Sequence, residues 1–298
     1  MTVSNTTIGI LAALGSAASW SLGAVLFKDL GASLSSFAMT LVKGAVSVLL
    51  LGVLALVTGG YGEVGREAYL YLILSGILGI ALSDTLFFSA LKEVSPQVIT
   101  LLFTFGQVVT VLLAVLLLGE TLSLQGWAGI ALIITGITIG MLTGFSGKGN
   151  SSLRGIVLGL CSILLMSFSV ILTKKGLTGV STLYATFIRM LAGTTGMLLV
   201  GAATGRLGAW VTPFRDARLL LKFTLSVAVI TFGGFWLAIV AFKYTSVAVA
   251  NSLISTEPIF VLPVAALLLK EKVTYQAVSG AVVATVGVIV LCTSVSMG

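Results

Sequence analysis

The sequence predicts an all-α, polytopic membrane protein in which ten transmembrane helices form two inverted five-helix repeats. Three observations support this prediction: an apolar composition, ten long apolar runs, and a second half that repeats the first. Of the 298 residues, 58% are hydrophobic and only 8% are charged, and the mean hydropathy is +1.19. Soluble domains carry about 25% charged residues, so most of this surface must face lipid.

The composition also excludes several kinds of chemistry. The chain has no histidine, which rules out a Ser-His triad and a His-ligated zinc site. Cys161 and Cys292 lie in apolar runs without a Cys-x-x-Cys pair and are interpreted as small packing residues. No Gly-x-x-x-x-Gly-Lys-[Ser/Thr] loop is present, so ATP is not the expected energy source. The sequence therefore predicts no cofactor and no metal.

The net charge of +7 does not predict a nucleic-acid partner. The basic residues are scattered between apolar runs, as in the loops of membrane proteins. No basic stretch is interleaved with aromatic residues that could stack on bases. The lipid bilayer is the expected partner instead.

Ten apolar runs have about the length that crosses a bilayer. They cover residues 8–27, 35–57, 68–89, 96–118, 124–143, 154–173, 181–201, 219–242, 247–269 and 274–295. Most connections are very short, which predicts that consecutive helices run antiparallel as neighbours. Residues 1–7 contain no basic region and no cleavage site, so the first run is expected to remain a transmembrane helix.

The second half of the chain repeats the first. Seven residues recur at one spacing: Ala90, Lys92, Ser95, Leu118, Glu120, Gly129 and Gly136 match Ala241, Lys243, Ser246, Leu269, Glu271, Gly280 and Gly287. The predicted division is residues 1–146 and 147–298. Because five helices per repeat is an odd number, the second repeat enters the membrane from the opposite side, as in many alternating-access transporters.

These residues resemble a known family. Leu-Ile-Ser-Thr-Glu-Pro-Ile-Phe at 253–260, followed by Leu-Leu-Leu-Lys-Glu at 267–271, is similar to the second-repeat signature of EamA-type members of the drug/metabolite transporter superfamily. Leu-Leu-Leu-Gly-Glu-Thr-Leu at 116–122 and Trp20 with Lys28 resemble its first repeat. The resemblance covers almost the whole chain. One departure is that Gly106-Gln107 stands where the second repeat has Glu257-Pro258.

The resemblance implies a secondary transporter of the bacterial inner membrane, similar to exporters of aromatic and other bulky amino acids. It implies export of small metabolites, above all amino acids such as aromatic ones, threonine and methionine, by alternating access through a central cavity. Protons are a candidate coupling ion, a monomer is expected to suffice, and no enzymatic activity is implied. Transport of drugs or cations, or of nucleotide sugars, by the same fold is the alternative.

Two other function classes fit the residues poorly. A membrane aspartyl protease needs two aspartates, but Asp84 is the one aspartate inside a predicted helix, and its sequence context does not match. A channel is expected to show rings of like charge or a symmetric filter, and the sequence shows neither pattern.

Four ionisable side chains lie inside the apolar runs: Lys43, Asp84, Arg189 and Glu257. Such a group costs about 2.5 to 3.5 kcal/mol near the bilayer centre, so it usually faces a partner or a wet cavity. Lys43 and Asp84 lie at similar predicted depths in the membrane, and so do Arg189 and Glu257. The sequence therefore predicts that Lys43 can meet Asp84 and that Arg189 can meet Glu257. Either these groups line a cavity, with bases holding a substrate carboxylate and acids holding an ammonium group or a proton, or they neutralise one another as internal ion pairs.

Five more residues are candidates for the transport path. Pro258 removes a backbone donor and is expected to break the ninth helix, freeing the carbonyl of Ile254. Gln107 and Asn251 can bond substrate or join helices, and Trp20 and Trp236 can wall an apolar cavity.

The helix ends carry four further charged residues, for which anchoring at the membrane interface is expected. These are Lys92, Lys243, Glu120 and Glu271.

Two arguments about orientation conflict. Ten Lys and Arg residues fall in connections on the side opposite the termini and four on the side of the termini, which favours termini outside. The resemblance implies cytoplasmic termini instead. The expectation follows the resemblance, because Lys28, Lys92, Lys174 and Lys243 occupy repeat-equivalent positions on both sides and carry no orientation signal.

Overall fold

A computed structural model describes residues 4–31, 34–59, 64–90, 92–93, 96–144, 152–257, 259–260 and 275–296. Helices α1 to α10 follow in chain order: Asn5–Gly31, Ser36–Thr58, Arg66–Ala90, Pro96–Leu118, Leu124–Gly144, Leu153–Gly176, Thr182–Ala203, Ala217–Tyr244, Val247–Ile254 and Tyr275–Ser296. A short helix, Leu207–Val211, and a 3-10 turn, Thr212–Arg215, connect α7 to α8. Within these ranges there is no β-strand.

The helices present an apolar surface to lipid. In the described ranges, six helices are long and apolar enough to cross a membrane: α1 over Asn5–Gly23, α2, α3, α6, α7 and α8. Shorter apolar segments lie in α4, α5 and α10. Large apolar side chains are exposed along these helices, for example Leu49, Val57 and Leu116 at 68%, 80% and 75%, as expected for a surface in contact with lipid. The protein is therefore an all-α, multi-pass membrane protein.

Serine side chains define where several helices begin. Ser35, Ser152, Ser181 and Ser246 each accept a hydrogen bond from the backbone N–H three residues later, at the starts of α2, α6, α7 and α9. Such caps satisfy one of the unpaired donors of the first turn. Ser35 precedes α2 and Ser181 precedes α7, so the two halves begin their second helices in the same way.

The helix packing has the symmetry of two inverted repeats. The contacts of α1 with α8 and α9 match those of α6 with α3 and α4, while α2 packs on α7, α4 on α9 and α5 on α10. Both α3 and α8 also contain a π-helical segment at equivalent positions, Ile77–Ser83 and Val229–Trp236. A pseudo-two-fold axis thus relates five helices of one repeat to five of the other.

Glycines let α5 and α10 approach until their backbones touch. A Cβ placed on Gly136 would overlap the backbone of Ala284 and Gly280, and one on Gly129 would lie 2.8 Å from the nitrogen of Leu291. These glycines belong to the repeated set, so a single close contact uses small residues from both halves.

Two sequence predictions differ from the structure. The ninth run was expected to cover 247–269 with a break at Pro258, but α9 already ends at Ile254, and a turn at Ser255 and Thr256 precedes the helical residues 257, 259 and 260. Residues 261–274 lie outside the described part. Cys161 is exposed on α6 and not a packing residue of the core, because its helix face points away from the bundle. The predicted division between residues 146 and 147 lies outside the described residues, as does the side chain of Cys292.

Candidate functional site: a charged cluster between the repeats

Lys43 and Asp84 form a buried ion pair. Lys43 lies on α2 and Asp84 on α3, with the Lys43 Nζ donating to Oδ2 of Asp84, and their exposed fractions are 3% and 6%. The π-helical segment Ile77–Ser83 immediately precedes Asp84, whose backbone N–H bonds the Gly79 carbonyl five residues earlier. The wide turn rotates Asp84 relative to the first half of α3 and so helps to set where its carboxylate points.

Arg189 lies in the same region but has neutral hydrogen-bond partners. Its Nε donates to the Ser75 hydroxyl of α3 at 3.0 Å, and its Nη2 donates to the Ser169 hydroxyl of α6 at 3.1 Å. The residue is 5% exposed. A guanidinium has five N–H donors, so the two bonds found among the described residues leave much of its donor capacity unused.

The three groups form one electrostatic unit with an excess of positive charge. Arg189 and Asp84 attract each other, while Asp84 is bonded directly to Lys43. By exposed area, Asp84 is buried, whereas Glu257 is half-buried and has no ion pair among the described residues. Two buried cations therefore share one buried anion, and a second anion would relieve the imbalance.

Aromatic rings cover the pair on the side of α8. The Lys43 Nζ lies 4.9 Å from the ring centre of Phe235 and 5.8 Å from that of Phe88. Trp20 of α1 packs edge-on against Phe235 with ring centres 4.9 Å apart. Trp20 thus lies one ring away from the charged cluster, as a wall residue of this region would.

Trp236 has a different role from Trp20. Its indole Nε1 donates to the hydroxyl of Thr182 at 3.1 Å, which joins α8 to the start of α7. Its ring packs edge-on against Phe232 at 6.2 Å. The side chain is therefore oriented by a specific hydrogen bond and lies in the aromatic group beside the cluster.

Gln107 and Asn251 join α4 to α9 away from the charged cluster. The Asn251 side chain, 6% exposed, donates to the backbone carbonyl of Gln107 at 3.4 Å. A small cavity lies beside them, and its polar lining comes from Gln107, Ser252 and Ser255. None of the charged cluster residues lines this cavity.

Glu257 does not meet Arg189, contrary to the pairing predicted from depth. No ion pair joins the two side chains within the described structure, because Arg189 turns toward α3 and α6. Glu257 is half-buried, and its backbone carbonyl accepts a hydrogen bond from the Ser21 hydroxyl of α1 at 2.6 Å. Equal depth in the membrane was insufficient to predict contact, since the direction of each side chain also matters.

The break in α9 begins before Glu257. After Ile254 the N–H of Thr256 bonds the carbonyl of Leu253, and the N–H of Ile259 bonds that of Thr256. These are three-residue spacings, so the helix is interrupted by a turn at Ser255 and Thr256, and residues 257, 259 and 260 are helical again. Pro258, the predicted cause, lies outside the described residues.

The charged residues at helix ends bind the protein and are not merely interfacial anchors. Lys92 donates to the carbonyl of Leu34 at 3.0 Å, and its repeat equivalent Lys243 donates to that of Val180 at 2.7 Å. The carboxylate of Glu120 accepts from the first two backbone donors of α9, Val247 at 2.7 Å and Ala248 at 2.8 Å. Lys92, Lys243 and Glu120 therefore also join helix ends within the protein, which the prediction of interfacial anchoring did not include, and Glu271 lies outside the described part.

A related contact closes the same end of the bundle. Lys174 at the end of α6 donates to the carbonyl of Phe242 and, at 2.8 Å, to that of Thr245. A cation at the carboxyl end of α8 and an anion at the amino end of α9 both complement helix dipoles.

The sequence analysis missed Ser75, Ser169 and Phe235. The repeat comparison could have found Ser75, because the second repeat also has a serine, Ser226, at the equivalent position, by the spacing that relates Ala90 to Ala241. Phe235 occupies the position equivalent to Asp84, so the repeat comparison could have found it as well. Ser169 has no such signal. Within the described ranges no group of three His, Cys, Asp or Glu side chains is placed to bind a metal.

Comparison with known proteins identifies the family. The EamA-like transporter family model matches residues 7–142 and again residues 153–293. The chain belongs to the EamA-like transporter family. An uncharacterized transporter in the cobO 3' region of Sinorhizobium sp. is 33% identical over 127 residues, which are 42% of this chain and 89% of that protein.

The fold of this EamA-like transporter is also found in a solved crystal structure. The two chains superpose with a TM-score of 0.72 over 95% of each, at 16% sequence identity. Similarity at that identity concerns the fold alone. The overall fold is thus shared by a chain of very different sequence.

Proposed function

We propose that this EamA-like transporter exports amino acids, mainly aromatic and other bulky ones with threonine and methionine, across the bacterial inner membrane by alternating access. The substrate carboxylate binds Arg189. The observation that supports this assignment is the buried guanidinium whose hydrogen-bond partners, in the described residues, are the hydroxyls of Ser75 and Ser169. Neutral hydroxyls orient a guanidinium but do not neutralise it, whereas a carboxylate does both.

The rest of the cluster suits the other parts of an amino acid. Asp84 attracts the α-ammonium group, because it is the buried acid already within electrostatic range of Arg189. Phe235 and Trp20 offer apolar and aromatic surface to a bulky side chain. Glu257, on the other repeat, is the proposed carrier of a coupling proton. The protein moves its substrate without a catalytic step, and one chain suffices because it contains both repeats.

Proteoliposome uptake of labelled phenylalanine tests the substrate class. The competitors are unlabelled phenylalanine, phenethylamine, which lacks the carboxylate, and 3-phenylpropionate, which lacks the ammonium group. We expect saturable uptake that phenylalanine inhibits far better than either analogue. Arg189→Met should reduce uptake about tenfold to hundredfold, because a charged hydrogen bond to substrate is lost. Arg66→Gln, at an exposed position of α3, is the matched control and should transport normally.

The other outcomes distinguish the alternatives. If phenethylamine inhibits as well as phenylalanine and Arg189→Met transports normally, the substrate is a cation or a drug and not an amino acid. A second outcome is that the folded protein takes up a labelled nucleotide sugar and no phenylalanine. That result would mean that the excess positive charge of the cluster binds the diphosphate of a nucleotide sugar.

A further inference from the structure

The connection between α7 and α8 is a folded basic segment. We use the name basic segment for residues 204–222. Gly205, with φ of +65°, ends α7, and the backbone N–H of Arg206 bonds the Gly201 carbonyl at 3.0 Å. Asp216 then caps α8 by accepting from the backbone N–H of Arg218 at 2.8 Å. The backbone path is thus set by local hydrogen bonds at both ends.

Two buried aromatic residues hold this segment on the bundle. Trp210 stacks on Phe37 of α2 with ring centres 5.1 Å apart and planes inclined by 12°. Phe214 packs edge-on against Phe223 of α8 at 4.9 Å. Trp210 and Phe214 are each 6% exposed, so the segment has one face fixed to the protein and the other free.

The free face combines positive charge with apolar side chains. All four bases of the basic segment are exposed, and in the described structure none of them is in an ion pair: Arg206, Arg215, Arg218 and Lys222. Val211, Leu220 and Leu221 are 48%, 40% and 61% exposed beside them. This combination is typical of a segment that lies in the membrane interface, with apolar groups toward the acyl chains and bases toward the headgroups.

The fold itself does not require these bases. The equivalent connection in the first repeat, between α2 and α3, has only Arg66 as a base, with Glu63 and Glu67 near it. Because the repeats are inverted, the two connections lie on opposite sides of the membrane. On the side of the termini, Lys174 and Lys243 are also bonded to backbone carbonyls of the protein. Free positive charge is therefore concentrated on the side of the basic segment.

We propose that the basic segment lies on the cytoplasmic surface of the membrane and binds the phosphate headgroups of anionic phospholipids. Short connections rich in Lys and Arg stay on the cytoplasmic side, and anionic lipid of that leaflet attracts each base. Both termini then lie on the outer side. This orientation is the reverse of the one that the family resemblance implies, and it does not depend on the identity of the substrate.

Cysteine labelling tests the orientation. The background variant has Cys161→Ala and Cys292→Ala, and either Ala209→Cys in the basic segment or Ser4→Cys near the N-terminus is added. A membrane-impermeant maleimide applied to intact cells should label Ser4→Cys at once and Ala209→Cys only after lysis. The opposite pattern overturns the proposal.

Lipid binding is tested in nanodiscs of phosphatidylcholine with and without phosphatidylglycerol. The readouts are the thermal stability of the full-length protein and the phosphatidylglycerol that it retains in native mass spectrometry. Arg215→Gln with Arg218→Gln should reduce retained phosphatidylglycerol about tenfold or more, because each base near an anionic surface contributes about fivefold. Arg66→Gln with Lys175→Gln removes the same charge on the other side and should leave retention unchanged.

Two results of the lipid experiment contradict the proposal. Equal loss of phosphatidylglycerol in both double variants would indicate a general effect of net charge. Equal stabilisation by soluble glycerol phosphate in pure phosphatidylcholine would assign the site to a free phosphate compound instead of a lipid.

Discussion

The two repeats place equivalent backbone around different charged groups. Where α3 carries Asp84, α8 carries Phe235. Where the second repeat has Glu257, just after α9, the first repeat has Gly106 in α4. By contrast, Lys43 of the first repeat and Arg189 of the second are both basic. Asp84 is bonded to Lys43, whereas Glu257 makes no ion pair within the described residues. The duplication thus preserves packing, and the differences between the repeats leave Asp84 in an ion pair and Glu257 without one among the described residues.

The largest effect is expected from breaking the central ion pair. Asp84→Asn leaves Lys43 buried without its counter-ion, which should reduce the free energy of unfolding by about 3 to 5 kcal/mol. Thermal unfolding in detergent measures the loss. Lys43→Met together with Asp84→Leu removes both charges and should recover most of the stability. If the double variant is as unstable as Asp84→Asn, the unpaired charge of Lys43 is not the cause of the lost stability.

A smaller effect is expected at the contact between α5 and α10, where the repeats are most alike. The added methyl group of Gly136→Ala meets the backbone of Ala284 and Gly280, which cannot turn aside, and should destabilise the protein by about 1 to 3 kcal/mol. Gly208→Ala is the control, since nothing lies within 4 Å of its Cβ position. Equal melting temperatures for both variants would contradict the close approach of α5 and α10.

Glu120→Ala should cost about 0.5 to 2 kcal/mol, because α9 loses the acceptor of its first two donors. Hydrogen exchange of the Val247 and Ala248 amides measures the local effect and should become faster. Glu67→Ala, which removes an exposed acid from the first turn of α3, is the comparison variant. Unchanged exchange at both amides would show that the cap is not formed in the membrane.

Glu257→Gln should have the smallest effect on stability, less than about 0.5 kcal/mol, because no described cation loses its partner. If Glu257 carries the coupling proton, uptake driven by a pH gradient should disappear in this variant while exchange at equal pH continues. Uptake in proteoliposomes with and without the gradient separates these activities. A loss of stability as large as that of Asp84→Asn would mean that the two acids do not differ as proposed.

Much of the fold could be predicted from the sequence, because spanning a bilayer requires long apolar runs with few charges. The predicted bounds of most runs lie within a few residues of the observed helices, and α4 begins and ends at the predicted residues. A break in the ninth helix was predicted from Pro258, but the backbone already changes its hydrogen bonding after Ile254, where the apolar sequence gives no signal of it. The π-helical turns of α3 and α8 have no comparable signal in composition.

The candidate site was predicted in part. Depth in the membrane correctly suggested that Lys43 meets Asp84, because both lie on consecutive antiparallel helices. Depth failed for Arg189, whose partners Ser75 and Ser169 lie on two other helices. It also says nothing about the rotation of a helix, which decides whether two groups at equal depth face each other.

The sequence by itself determined that this protein is a duplicated membrane protein with a few costly charges inside its helices. Apolar length, charge frequency and internal repetition are properties of the chain that need no contact between distant segments. Only the tertiary structure decided which charge meets which group, that Glu120 caps α9, and that the basic segment has a free face. Those features depend on helix rotation and on contacts between residues far apart in the chain, which local composition does not encode.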